Sequence, residues 1–185
     1  VLPPTSVRTV AVPGQPWMLK FSLHVRVTNS MRVTLPKELD RAVEAALLGR
    51  TAVGAEAAAV APGFRFVQDP AYLAVTRPDG TVIDAFSVLL RENPWPGDPG
   101  EDVTALTTLA QDHPFGAGNR LGAIVTAIAE REGRAVEDVA RDWFGRYLDV
   151  AVRSLLRLYL DLGLCFEAHQ QNTLLELEDG WPVRC

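Results

Sequence analysis

Apolar and polar positions alternate from Lys20 to Thr28: Phe21, Leu23, Val25 and Val27 fall on one side, and Lys20, Ser22, His24, Arg26 and Thr28 on the other. A period of two predicts one strand with a core face and a polar face. Thr28-Asn29-Ser30 breaks the alternation. The period then becomes helical from Pro36 to Leu48, with Leu39, Val43, Ala46 and Leu47 on one face and proline near the first turn. An Ala-rich stretch to Val60 extends this helix or starts another, and Pro62-Gly63 ends it. Phe64-Arg65-Phe66-Val67 and Ala71–Val75 read as strands. Arg77-Pro78-Asp79-Gly80 reads as a turn into Val82–Leu90, completing a small antiparallel meander.

From Val103 the pattern is helical: a short segment to Ala110, then Arg120 to Arg131, then one long and largely buried helix from about Val136 to Leu162, stopped by Gly163. Thr173–Leu177 reads as a strand, and Glu178-Asp179-Gly180 as the hairpin turn into Trp181-Pro182-Val183. Residues 1–16 hold four of the thirteen prolines and predict an extended lead-in. Asn93 to Gly100 is a Pro/Gly-rich loop of the kind that forms a lid or finger tip. The order predicts an α+β fold rather than a βαβ array. A single domain is expected, mainly β with one helix over 1–100, helical over 101–163 and a hairpin over 164–185.

Composition narrows the class. With 185 residues, 48% hydrophobic and 22% charged, the chain can bury one substantial core. No run approaches the ~18 apolar residues of a membrane span, and Val1-Leu2-Pro3-Pro4 lacks the features of a secretory signal, so a cytoplasmic location is expected. Cys165 and Cys185 make neither a disulfide framework nor a metal-ligand spacing. A net charge of -5 argues against nucleic acid as a partner, so any anion site must be local. Lys20 is one of only two lysines among eighteen basic residues.

Three polar clusters carry candidate chemistry. Ser6-x-Arg8-Thr9 and the segment from Lys20 to Arg32 supply cations suited to a polyphosphate or polycarboxylate, arginine as a fork and lysine as a point charge. The hexad Glu167-Ala168-His169-Gln170-Gln171-Asn172 supplies oxygen donors for hydrated Mg²⁺ or ribose, and a histidine able to bind carboxylate or move a proton. On a continuous strand Lys20 and Thr28 would lie roughly 26 Å apart at about 3.3 Å per residue, a span suited to ATP plus a second substrate. His24 and Arg26 read more simply as a solvated sheet face, and His113 as structural. No Gly-rich phosphate loop, catalytic triad, HExxH or CxxC is present. His169-x-x-Asn172 admits a kinase-like phosphotransferase, but the catalytic aspartate of such a loop is missing. A non-catalytic binding module, with the Trp95 loop as its recognition element, is the alternative of a different class.

Pro4-Thr5-Ser6-Val7-Arg8-Thr9, Leu19-Lys20-Phe21-Ser22-Leu23 leading to Thr28-Asn29-Ser30-Met31-Arg32, the hexad, and Pro182-Val183-Arg184 together resemble the central core of the IucA/IucC-type siderophore synthetases. The order and spacing of separate motifs make the resemblance specific. It implies part of the palm and fingers of a larger hand-like ligase, using ATP and Mg²⁺ to adenylate citrate or a related acid and join it to an amine or hydroxylamine. It implies small-molecule partners, no nucleic acid or membrane, and admits a homodimer of the full-length enzyme. Ser6, Arg8 and Lys20 match residues that hold the triphosphate. Thr28, Arg32 and His169 match residues around the reacting carboxylate, with Arg32 near phosphate as well. Glu167, Gln171 and Asn172 match residues around nucleotide and metal, the metal falling to Glu167 and Asn172. Asn29 and Ser30 are expected to line the same site. In the family a further strand brings an Arg-Asp pair to the metal after the position of Cys185. These residues are therefore expected to form an excised middle with little or no activity alone.

Overall fold

A computed structural model describes residues 6, 8–27, 29–97 and 103–185. The chain divides into two compact units: residues 1–55 with 66–98, and residues 56–65 with 99–185. The fold is α+β with antiparallel sheets, as the element order predicted.

The first unit holds β1 (Thr9–Ala11), β2 (Trp17–Phe21), β3 (Leu23–Val27), β4 (Ser30–Arg32), helix α1 (Pro36–Leu48), β5 (Ala71–Thr76) and β6 (Val82–Glu92). Four strands make one antiparallel sheet in the order β1-β2-β6-β5, while β3 and β4 form a separate hairpin. The single strand expected from Lys20 to Thr28 is thus two strands in two sheets. Ser22 makes the break: its N–H donates to the Ser87 carbonyl (3.0 Å), and its Oγ accepts from the Thr34 N–H (2.9 Å). With Ser22 buried between these partners, the polypeptide leaves the first sheet without stranding a backbone donor. Helix α1 keeps its predicted bounds; Pro36 opens it, and the Glu38 carboxylate accepts from the Leu35 N–H (2.8 Å). Its core face buries Leu39 and Ala46, and Asp40 accepts from the Tyr72 hydroxyl on β5 (2.9 Å). The Asn93 loop is tied down at its start, where Asn93 N–H donates to the Pro16 carbonyl and Gly14 N–H to that of Pro96.

Helix α2 (Ala52–Val60) spans the division between units. In the second unit, Phe64 to Val67 is not a strand as far as Arg65. Its backbone there is held by the chain end, Arg65 N–H donating to the Cys185 carbonyl (2.7 Å) and Cys185 N–H to that of Gly63 (2.8 Å). Phe66 and Val67 also lie outside any strand. Val103–Ala105, expected to be helical, is strand β7, followed by α3 (Leu106–Ala110) and α4 (Arg120–Glu132). β7 pairs with β8 (Leu174–Glu178), which pairs with β9 (Trp181–Arg184). The turn between the last two has Asp179 at φ 51° and Gly180 at φ 82°, the left-handed pair that a two-residue hairpin needs.

The long helix expected over 136–162 is α5 (Val136–Tyr147), a π-helical segment (Leu148–Arg153) and α6 (Ser154–Leu162) in succession. Only one side is buried, through Val139, Trp143, Ala151 and Leu158, while Phe144, Leu156, Tyr159 and Leu160 are exposed. The core joins α3, α4, α5 and the hairpin through Leu109, Val125, Ile128, Val139, Trp143, Leu175 and Leu177. Trp143 Nε1 donates to the Gly180 carbonyl (2.9 Å), and a Cβ at Gly180 would press on Ile124 and Ile128 at 3.1–3.2 Å. Among the described residues, no helix is long and apolar enough to cross a membrane.

Candidate functional site

The first unit gathers cations on one face of its sheet. Thr9 on β1 lies opposite Lys20 on β2, Lys20 lies opposite Leu89 on β6, and Met18 lies opposite Arg91. Strand alternation therefore puts Thr9, Lys20 and Arg91 on the same face, with Lys20 and Arg91 as diagonal neighbours. Asp69, just before β5, reaches the same place. Its two oxygens accept from Arg91 Nε (2.6 Å) and Nη2 (2.9 Å), and Oδ2 stands 3.7 Å from Lys20 Nζ. Burial lowers the Lys20 pKa, the positive charges of Arg91 and Arg8 lower it further, and Asp69 opposes them.

Arg8 joins the cluster to the separate hairpin. Its Nη1 donates to the Arg32 carbonyl (2.9 Å) and to Thr34 Oγ1 (2.9 Å), while its own carbonyl accepts from the Phe21 N–H (2.7 Å). Burial, then Arg32, lowers the Arg8 pKa, and Glu38 and Asp69 raise it. Ser6 Oγ accepts from the Arg8 N–H (3.5 Å). Arg32 pairs with Leu23 at the base of the hairpin, which returns it to a point three residues along the chain from Lys20. Thr28 lies outside the described residues; Asn29 is in the exposed turn of the hairpin, and Ser30 begins β4.

The hexad belongs to the second unit and is exposed throughout. Residues 170–172 form a turn. The turn is organised by its backbone: Asn172 N–H donates to the His169 carbonyl (2.9 Å), Asn172 Nδ2 to that of Glu167 (3.2 Å), and Thr173 Oγ1 to that of His169 (3.1 Å). Thr107 N–H donates to the Gln170 carbonyl (3.2 Å), fixing the turn to α3. Glu167, with 85% of its side chain exposed, is 3.8 Å from His169 Nε2. Glu167 and the Asn172 amide oxygen are hard donors of the type Mg²⁺ takes alongside waters and phosphates. Among the described residues, no group of three or more His, Cys, Asp or Glu could hold a metal unaided.

Sequence reasoning missed Asp69, Arg91, Ser22 and Thr34. Arg91 was visible as the charge that interrupts the apolar run Val88-Leu89-Leu90, and Asp69 as the charge before Pro70 at a strand start. Thr9 Oγ1 is buried and, among the described residues, has no hydrogen-bond partner.

The first unit is thus an antiparallel sheet with basic residues gathered around Asp69, and the second a helical unit ending in a polar turn and hairpin, in a chain of the α+β class. The IucA / IucC family model matches residues 1–111, and the chain belongs to that family. Residues 141–185 match a second family, described as Ferric iron reductase FhuF-like transporter. The chain is 39% identical over 97% of its length to the spermidine-citrate ligase of Bacillus anthracis, covering 29% of that protein. It is 40% identical over 98% of its length to the rhizobactin siderophore biosynthesis protein RhbC of Rhizobium meliloti (strain 1021), covering 31% of it. ATP-bound aerobactin synthetase IucA from a hypervirulent pathotype of Klebsiella pneumoniae superposes with a TM-score of 0.91 at 30% identity, over 96% of this chain and 32% of that one. The chain thus spans about three tenths of the length of these relatives.

Proposed function

We propose that this chain supplies the nucleotide-binding part of an ATP-dependent ligase of siderophore biosynthesis, which activates a carboxylate of citrate or a related acid and joins it to an amine or hydroxylamine. The observation that carries it is the charge of the sheet face. Lys20 and Arg91 flank Asp69, and Arg8 stands near enough to feel both cations as well as Arg32 and Glu38, in a chain whose net charge is -5. Concentrating cations against the trend of the whole molecule favours a strongly anionic ligand, and a triphosphate has the charge and length. The ATP-bound relative supports that choice of anion.

In this proposal Ser6, Arg8 and Lys20 hold the triphosphate, and Thr28, Arg32 and His169 surround the reacting carboxylate. Glu167, Gln171 and Asn172 take the nucleotide, and Glu167 and Asn172 would hold Mg²⁺, which supplies charge neutralisation at the phosphates. A carboxylate oxygen bonds to the α-phosphorus as the bond to pyrophosphate breaks. The amine nitrogen then bonds to the acyl carbon, AMP departs, and the amine loses a proton. The residues contribute by neutralising charge and placing two substrates in line, without forming a covalent bond to either. The reaction belongs with a cytoplasmic supply of ATP.

Titration of the chain with Mg-ATP tests the proposal. Binding is expected, weakened by Lys20→Ala and by Arg8→Ala; undiminished binding in both variants removes these residues from the site. Release of pyrophosphate, rather than transfer of a phosphoryl group to a hydroxyl, separates the ligase from the kinase-like alternative.

A further inference from the structure

We propose that Asp69 is a positioning residue of the anion site, clamping Arg91 by two hydrogen bonds and standing beside Lys20 so that both cations are held ready for the ligand. The inference rests on the triphosphate reading and adds to it a carboxylate where charge alone calls for none.

Asp69 keeps only 10% of its side chain exposed, against 22% for Lys20 and 28% for Arg91. A carboxylate so buried requires partners, and its fork-to-fork geometry with Arg91 satisfies both oxygens. The backbone reinforces the clamp: the Gln68 carbonyl accepts from the Glu92 N–H (2.9 Å), so the residues next to Asp69 and Arg91 are joined as well. Pro70 stiffens the chain on the other side. The clamp occupies Arg91 Nε and Nη2, and among the described residues nothing accepts from Nη1. Lys20 Nζ, at 3.7 Å, is within ion-pair reach of Asp69, and an ammonium with three protons commits at most one of them to that contact. Both cations are thereby oriented by a group that leaves donors uncommitted.

Charge alone and positioning predict opposite signs. Removing a negative charge from a cationic site tightens a polyanion by Coulomb's law. Removing a positioning group loosens it, because Arg91 and Lys20 lose their fixed places. Calorimetric titration with Mg-ATP is made on the unaltered chain, Lys20→Ala, Asp69→Asn and Asp69→Glu, with melting temperatures recorded in parallel. The expected result is that Asp69→Asn weakens Mg-ATP about tenfold, the scale of losing one charge-assisted contact, while AMP, which lacks the outer phosphates, binds as before. Equal or tighter Mg-ATP binding in Asp69→Asn, with Lys20→Ala still impaired, overturns the positioning role and leaves the proposed function standing. An equal loss for ATP and AMP also overturns it, because a loosened fold does not discriminate between them. No Mg-ATP binding by the unaltered chain, or none lost in Lys20→Ala, overturns both. Should Asp69→Asn fail to fold, Asp69→Glu decides: it keeps the charge and displaces the carboxylate, and Mg-ATP affinity at the unaltered value rejects the proposal.

Discussion

Asp69 in the first unit has 10% of its side chain exposed and two cationic partners; Glu167 in the second has 85% exposed, with its carboxylate 3.8 Å from His169 Nε2. The first unit builds its polar site inside a sheet, where each charge must be matched and each match restricts the next residue. The second unit buries an apolar core between its helices and hairpin and presents its polar hexad at an exposed turn, where water can satisfy side chains that the protein does not. A site of the first kind is organised before a ligand arrives. One of the second kind has its turn fixed by hydrogen bonds and its side chains exposed to water. Substitutions should therefore disturb fold and binding together in the first unit, and separately in the second.

The largest expected effect sharpens that separation from the apolar side. Trp143→Ala removes a buried ring that stacks on Tyr147 and donates to Gly180, and should cost about 3–5 kcal/mol in denaturant unfolding. By contrast, His169→Ala in the same unit should change stability by less than about 0.5 kcal/mol. Next, Lys20→Ala should weaken Mg-ATP by about ten- to a hundredfold in titration, the loss of one strong ionic contact. A smaller effect comes from helix starts: Asn119→Ala deletes the side chain that accepts from the Gly122 N–H at the head of α4 and should cost about 1 kcal/mol. Glu38→Ala removes the equivalent contact at α1 and should cost somewhat less, since Glu38 is exposed.

The pH response gives the finest discrimination. Lys20 has its folded pKa below the ordinary 10.5, first through burial and then through Arg91 and Arg8. Between the folded and ordinary values the unfolded chain holds more protons, so this group's contribution to stability rises with pH across that window. Anion binding runs the other way, because it needs the ammonium. Affinity for Mg-ATP should begin to fall below pH 10.5 as the lysine loses its proton among Arg8, Arg91 and Asp69. A flat titration curve up to 10.5 would remove Lys20 from the contact.

Local pattern explains which elements could be read from the sequence. Helix α1 and the β8-β9 hairpin are set by signals within a few residues, Pro36 and the apolar spacing in one, Asp179-Gly180 in the other, and both formed where expected. The break at Ser22 was hidden because the alternation runs through it unchanged from Phe21 to Val27. What turns the chain is a pair of distant partners, Ser87 and Thr34. β7 was missed for the same reason, a three-residue strand whose only signal is its pairing with β8. Among the site residues, Arg8, Lys20 and Arg32 were named from their motifs and share the first unit. Asp69 was invisible because a counter-ion is chosen by the fold, while alternation and spacing report only on neighbours.

The discontinuity at Ser22 also bears on how this part of the molecule tolerates changes in length. In a single strand an added residue reverses every side chain beyond it. Here the two sheets keep separate registers, so a residue inserted within Leu23–Val27 would shift only the hairpin, and Lys20 would keep its place opposite Thr9 and Leu89. The same insertion a few positions earlier, within Trp17–Phe21, would turn the lysine to the opposite side of the sheet. One buried serine thus separates a stretch whose length can drift from one whose length is fixed.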